Sequence, residues 1–156
     1  MIRVLFVCLG NICRSPMAEA VFQHLVEEAG LSEHIRTDSA GLGGWHAGAK
    51  PHRGTRQVLS AKGIRHDWLT ARQIVPADFE QFDYIVCMDE ENLSELRRIA
   101  PQGKKVFRLL DFAPESNEQN VEDPYYTGRF EYVYQLVEAG CSSLLQRIRE
   151  EHTLQG

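Results

Sequence analysis

Apolar positions along this chain fall into two kinds of run. IRVLFVC (2–8) and DYIVCM (83–88) are unbroken apolar stretches, and IRTDSA (35–40) and KVFRLL (105–110) are two further extended segments. Side chains of a strand alternate between its faces, so an unbroken apolar run predicts a strand covered on both sides. Between these runs the period lengthens. Met17, Val21 and Leu25 recur at four-residue intervals after Pro16, which suits a first helical turn, and Gly30 supplies a stop. A second helix is predicted over about 52–62, and DEENLSELRR (89–98) reads as a short helix with Asp89 as its N-cap. Phe130, Val133, Val137, Cys141, Leu144 and Ile148 share one face of a long helix over about 129–149. The last residues, from about 150 to 156, read as a frayed tail. Strand and helix alternate, which predicts one α/β domain over 1–156 with a mostly parallel sheet. Ligands of such sheets bind beyond the carboxyl ends of the strands, where Cys8 lies.

Composition narrows the setting. A chain 43% hydrophobic and 25% charged is an ordinary globular protein, and no stretch approaches the roughly 20 apolar residues of a membrane span. The apolar N-terminal run lacks a small-residue cleavage site, so it reads as a buried strand and not as a secretion signal. The 17 Lys and Arg against 22 Asp and Glu leave a net charge of −5, which argues against a nucleic-acid surface. An anionic substrate therefore needs a locally positive pocket. Four scattered cysteines do not form a secreted disulfide framework, and a reducing cytoplasm is the expected location. Six histidines without HExxH or paired CxxC predict no metal site.

Chemistry concentrates in VCLGNICRSP (7–16), where Cys8 and Arg14 have the spacing Cys-x5-Arg. Cys141 and Arg147 repeat that spacing inside a helical pattern, with no strand before them and no glycine between them, so spacing alone decides nothing. Context favours the first copy. A turn from strand into helix aims several backbone N–H groups at one point and makes an anion site with the helix dipole. Gly10 lets the backbone approach a ligand closely. Asn11 is among the few residues besides glycine that tolerate positive φ. Arg14 offers a planar fork to two oxygens of an oxyanion. The same positive field favours a thiolate at Cys8, to which Ser15 can donate a hydrogen bond. A thiolate within an anion cradle suits attack of sulfur on phosphorus. The loop lacks the lysine of a Walker-type nucleotide site.

Displacement at phosphorus also needs an acid for the leaving oxygen. EDPYYTG (122–128) supplies one in Asp123, held by the rigid turn at Pro124, with Tyr125 and Tyr126 as an aromatic wall. Read alone, the same segment is first of all a surface turn with two half-buried tyrosines, and only then a source of a catalytic acid.

VCLGNICRSPMAEAVF, TDSAG, GIRHDWLTARQ, CMDEEN and EDPYY, in this order over nearly the whole chain, resemble the low-molecular-weight protein tyrosine phosphatases. The resemblance implies a four-stranded parallel sheet flanked by helices on both faces, with a phosphate-binding loop between the first strand and first helix. It implies Cys8 as nucleophile, Arg14 as phosphate clamp and Asp123 as acid and then base. Leu9, Gly10, Asn11, Ile12, Cys13 and Ser15 would form the loop, with Ser15 stabilising the thiolate. Ser39 and His66 would tether Asn11, Asp89 would support the site, and Trp45, Tyr125 and Tyr126 would flank a slot for an aromatic ring. Read alone, Ser39 is also a strand-end residue, His66 a structural histidine and Trp45 a core residue. Cys13 would pair reversibly with Cys8 under oxidation. The implied substrates are phosphotyrosine-containing proteins, the implied inhibitors phosphate and other oxyanions, with no cofactor and no metal.

Two relatives of this loop are separable. Arsenate reductases of the fold relay electrons through two further cysteines on a mobile segment; here Cys87 lies in a predicted strand and Cys141 in a distant helix. Protein-arginine phosphatases resemble the chain but carry threonine where Ile12 stands, and a branched apolar group favours a phenol ring over a guanidinium. A phosphate-sensing or carrier module is the non-enzymatic alternative, in which phosphorylated Cys8 persists and Asp123 is dispensable.

Overall fold

The computed structural model describes residues 1–154. Its first strand, β1 (Ile2–Cys8), is followed by helix α1 (Arg14–Glu28), strand β2 (Ile35–Gly41) and helix α2 (Arg53–Ala61). Then come a short helix α3 (Asp78–Gln81), strand β3 (Tyr84–Cys87), helix α4 (Glu90–Ile99) and a two-residue strand β4 (Phe107–Arg108). A 3-10 turn (Leu109–Phe112), a one-turn helix α5 (Pro124–Thr127) and the long helix α6 (Phe130–His152) complete the chain. The four strands form one sheet in the order β2-β1-β3-β4, and each adjacent pair is parallel.

The unbroken apolar run of β1 has the expected cause. Val4, Phe6 and Cys8 belong to one buried cluster with Met17, Phe22, Val133, Val137 and Leu144 of α1 and α6. Leu5 and Val7 point to the opposite face and pack with Phe79, Ile85, Leu93 and Leu96 of α3, β3 and α4. Burial of both faces supplies the hydrophobic driving force, at about 25 cal/mol per Å² of apolar surface. Helix α6 lies over the 3-10 turn at Gly140, where a Cβ would stand 2.5 Å from Leu109 Cγ. Only a hydrogen lets the two elements approach this closely.

Several elements differ from the pattern-based expectation. Strand pairing in the 105–110 segment covers Phe107 and Arg108 alone, opposite Val86 and Cys87. The Arg108 backbone N–H donates to Asp111 Oδ2 at 3.2 Å, and this turns the chain into the 3-10 segment, whose Leu109 and Leu110 are buried. Helix α1 begins at Arg14, so Pro16 is its third residue, a place where a missing N–H is tolerated. Residues 150–152 of the expected tail form the last turn of α6. Tyr84 Oη donates to Glu151 Oε1 at 2.6 Å and lies 3.0 Å from His152 Nε2. Gln155 and Gly156 of that tail lie outside the described residues.

The strand order reverses direction between β1 and β3. From β1 the chain crosses to β2 on one side, whereas β3 and β4 lie on the other. This switch point leaves a crevice at the carboxyl ends of β1 and β3. Cys8 ends β1, and Asp89 follows β3 by two residues.

Candidate active site

Residues 9–13 connect β1 to α1 without regular structure. Asn11 takes φ of 59°, one of two positive-φ residues other than glycine among the described residues. That conformation is strained for an L-residue, and three hydrogen bonds hold it. Asn11 Nδ2 donates to Ser15 Oγ at 2.8 Å and to Ser39 Oγ at 3.0 Å, and its Oδ1 accepts from the backbone N–H of Arg72 at 3.0 Å. Both amide hydrogens are thus used, and the side chain cannot flip without losing all three partners.

The turn has a chemical consequence. Among the described residues, the backbone amides from Leu9 to Ser15 donate to no protein acceptor. The first turn of α1 contains no acidic side chain. These are the properties of an anion cradle at a helix N-terminus. Gly10 completes it, since a Cβ there would stand 3.1 Å from His46 Cδ2.

Cys8 Sγ sits at the floor, 3.0 Å from Ser15 Oγ. Ser15 Oγ already accepts from Asn11, so its own hydrogen is free to point at the sulfur. Arg14 is 2% exposed and is fixed from three sides. One terminal nitrogen donates to Asp89 Oδ2 and to the Val121 carbonyl at 3.0 Å, and the other lies 3.5 Å from Asp123 Oδ2. Its Nε is buried and has no partner. Burial works against the guanidinium charge, but Cys8 and the carboxylates of Asp89 and Asp123 outweigh it and hold Arg14 above its ordinary value. Asp89 is itself oriented, because its Oδ1 caps α4 by accepting from the Asn92 N–H at 2.8 Å. Asp123 caps α5 in the same way, accepting from the Tyr125 N–H at 3.0 Å. Each carboxylate therefore has one oxygen tied to a helix and the other near Arg14.

Above the loop opens a cavity of about 280 Å³, lined by Cys8, Gly10, Ile12, Trp45, Asp123 and Tyr125 among others. Trp45 and Tyr126 are 71% and 76% exposed, so they stand as rim residues and not as core. Tyr125 meets the edge of His52 at 5.9 Å and of Tyr126 at 5.2 Å. A broader cleft of about 980 Å³ shares Leu9, Arg14, Trp45, Asp123 and Tyr126 with the slot.

Cys13 is buried at the N-cap position of α1, and its thiol is pushed up to about 12 by burial first, then by Asp123 and Cys8, with Arg14 opposing. All four cysteines are free thiols. Among the described residues no cluster of three or more His, Cys, Asp or Glu side chains could hold a metal ion.

One expected contact is absent. His66 does not reach Asn11; its Nε2 lies 2.9 Å from Ser60 Oγ of α2. The loop after α2 carries His66 back along that helix, and the tethering position goes to the Arg72 N–H. Arg72 runs beside β2, where its carbonyl accepts from the Gly41 N–H at 2.8 Å. Its guanidinium bridges Asp38 and Asp78. A backbone donor leaves no trace in residue type, so sequence reading had no signal for Arg72. Glu19 was also missed, and here a signal existed. It is a lone charge within MAEAVF, a segment that is otherwise apolar.

The family model described as low molecular weight phosphotyrosine protein phosphatase matches residues 3–154. The low molecular weight protein-tyrosine-phosphatase YfkJ of Bacillus subtilis (strain 168) is 51% identical over 156 residues, 99% of this chain and 100% of its own. Its crystal structure aligns with a TM-score of 0.94, at 52% identity over 97% of this chain and 96% of that one. A low molecular weight phosphotyrosine protein phosphatase of Schizosaccharomyces pombe is 50% identical over 130 residues, 81% of this chain and 83% of its own. The crystal structure of a drosophila arginine phosphatase aligns with a TM-score of 0.86, at 37% identity over 94% and 97% of the two chains. A profile that spans nearly every residue, with relatives at half identity, leaves one assignment: this chain belongs to the low molecular weight phosphotyrosine protein phosphatase family.

Proposed function

We propose that the protein hydrolyses phosphotyrosine monoesters by a two-step displacement in which Cys8 is the nucleophile. The amides of residues 9–15 and the free Nε of Arg14 receive the phosphoryl oxygens. Cys8 Sγ attacks phosphorus as the P–O bond to the phenol breaks. Protonated Asp123 gives its proton to the leaving oxygen. In the second step Asp123, now a carboxylate, takes a proton from water. The water oxygen attacks phosphorus, the S–P bond breaks, and phosphate leaves with Cys8 again a thiolate. Trp45, Tyr125 and Tyr126 flank the phenol ring. Phosphate and other oxyanions compete for the cradle, phosphotyrosine proteins are the substrates, and the cytoplasm is the site of action.

The observation that carries this reading is the unpartnered, buried Nε of Arg14 beside amides that lack acceptors. A buried donor without a partner costs about 1–3 kcal/mol, and an oxyanion of the substrate satisfies it. The test uses phenyl phosphate and p-nitrophenyl phosphate without added metal. Asp123→Ala should slow phenyl phosphate hydrolysis about 10²-fold or more, and p-nitrophenyl phosphate less, since the better leaving group needs less protonation. Equal losses on both substrates would remove Asp123 from the acid role.

The drosophila neighbour named as an arginine phosphatase raises a second substrate class. Ile12 lines the slot of this chain, and a branched apolar group suits an aromatic ring. Phosphoarginine consumed faster than phosphotyrosine would reverse that assignment.

A further inference from the structure

Two aromatic walls of the slot are held by very different means. Tyr125 is packed in place. Its ring meets the edge of His52 at 5.9 Å, and His52 stacks on Phe130 of α6 at 5.0 Å, with 19° between the ring planes. Its backbone N–H is tied to Asp123 at 3.0 Å. Trp45 has no such support. Among the described residues no aromatic ring or cation stacks on its indole. Its seat is the backbone of Gly43, two residues earlier. A Cβ built on Gly43 would fall among the ring carbons Cζ3, Cη2 and Cε3 of Trp45.

No backbone strain calls for glycine at this position. Gly43 is not among the positive-φ glycines, so its conformation is open to other residue types. The three atoms nearest to the missing side chain all belong to the Trp45 ring. The backbone beneath the ring is fixed. Leu42 N–H donates to the Cys8 carbonyl at 2.9 Å, and Gly43 N–H donates to the Leu9 carbonyl at 3.0 Å. From the other side Gln73 Nε2 donates to the Leu42 carbonyl at 3.2 Å, and a Cβ on Gly44 would stand 2.8 Å from Gln73 Oε1. This platform is held on both sides, so the exposed indole is the part that yields. Trp45 lines both the slot of about 280 Å³ and the cleft of about 980 Å³ beside it, as the partition between them.

We infer that Gly43 is a positioning residue for the substrate ring: its missing side chain seats Trp45 against the Cys8 loop and so sets the width of the slot. The inference rests on the reading of that slot as the phenol site. A methyl group at position 43 displaces the indole and opens the slot into the cleft. The amides of residues 9–15 and Arg14 stay where they were. Ring binding and phosphoryl binding therefore become separable at one position. The substrate ring loses a wall, and the phosphoryl group loses nothing. The fold loses little, because the group that moves is the end of an exposed side chain, and alanine lowers the entropy of the unfolded chain.

The test measures kcat and KM for phenyl phosphate and the inhibition constant of inorganic phosphate. It compares the full-length protein with Gly43→Ala, Trp45→Ala and the double variant. Gly43→Ala should lower kcat/KM about 3- to 10-fold, the worth of one ring contact. The loss should fall on KM, with the phosphate constant and the melting temperature unchanged. Trp45→Ala should show a loss of the same order. The double variant should be no worse than Trp45→Ala, because without the indole the methyl group meets nothing. Undiminished kcat/KM in Gly43→Ala, weakened phosphate inhibition in that variant, or a further loss in the double variant overturns the inference. So does an unchanged kcat/KM in Trp45→Ala, even if Gly43→Ala fails to fold. Phosphoarginine consumed faster than phenyl phosphate by the unaltered protein would instead overturn the underlying phenol site.

Discussion

Two cysteines in this chain are followed six positions later by an arginine, and the two pairs share nothing but that interval. Cys8 and Arg14 straddle a turn, so the strand end and the first residue of α1 both face the cradle. Cys141 and Arg147 lie within α6, where six residues turn the helix by well over half a revolution beyond one turn and send the side chains to different faces. Cys141 is fully buried, with Sγ 3.7 Å from the Ala18 carbonyl, and burial pushes its thiol above the ordinary range. Arg147 is exposed and lies 5.6 Å from the Phe112 ring centroid. Arg14, by contrast, is buried with a charged hydrogen-bond partner and one unfilled donor. The difference lies in the backbone between the residues. Asn11 at positive φ bends the first segment around a point in space, and a helix cannot do so.

The largest expected contrast comes from the sulfurs. Cys8→Ser should lower kcat for aryl phosphates by about 10⁴-fold or more, since the serine hydroxyl is a far weaker nucleophile without a base beside it. Cys141→Ser should leave kcat unchanged and lower stability by about 1–2 kcal/mol, because a hydroxyl replaces sulfur in an apolar interior. Steady-state kinetics and urea unfolding on both variants check this. A catalytic defect in Cys141→Ser would mean that α6 reaches the site in a way the packing does not suggest.

The arginines give the next contrast. Arg14→Lys keeps a positive charge but loses the fork that binds Asp89, Val121 and an oxyanion together. Its kcat/KM should fall by about 10²–10³-fold, as for loss of one well-placed oxyanion donor. Arg147→Lys should not change kcat/KM at all. If Arg14→Lys also proved neutral, simple charge would suffice at that position and the bidentate geometry would carry no weight.

How much of this was legible beforehand follows the same division. The strand β1 and the sites of Cys8, Arg14, Ser15 and Asp123 could be read because their residue types are chemically specific and their neighbours set the backbone. Asn11 could be read because few residues accept positive φ. The tether from Arg72 could not, because any residue donates a backbone N–H. His66 misled for the opposite reason: a polar side chain near the right place invites a role, and only the path of the loop after α2 shows that it faces Ser60. The short β4 failed because its apolar run serves the 3-10 turn beneath α6 as much as the sheet.

Glu19 extends the comparison from cysteines to buried acids. Cys141 remains neutral in the folded protein, whereas Glu19 is poised to ionise. Its carboxyl moves from the ordinary 4.5 to about 7. At about 1.4 kcal/mol for each pH unit, ionising it within the fold costs about 3 kcal/mol. Below pH 4.5 the group is protonated in both states and exerts no penalty. Between 4.5 and about 7 the unfolded chain releases the proton and the folded chain retains it, so stability falls as pH rises. Above about 7 the full penalty applies. Urea unfolding at pH 5 and pH 8 should show this loss in the natural protein, and Glu19→Gln should remove that part of the slope. An equal slope in both proteins would place the pH dependence elsewhere.

The smallest effect belongs to the second arginine. Arg147 holds its guanidinium carbon 5.6 Å from the Phe112 ring, and Phe112 packs against Phe107 at 5.4 Å. A cation over an aromatic face at a solvent-exposed position contributes about 0.5–1 kcal/mol. Arg147→Ala should therefore lower unfolding stability by no more than that, and part of the loss is apolar contact from the side-chain stem. Added salt should shrink the charge-dependent part, since nothing shields Arg147 from solvent ions. The same salt series should leave the Arg14–Asp89 pair far less affected, because that pair is largely buried. A loss in Arg147→Ala well above this range, insensitive to salt, would show that the second arginine is anchored by packing and not by its charge.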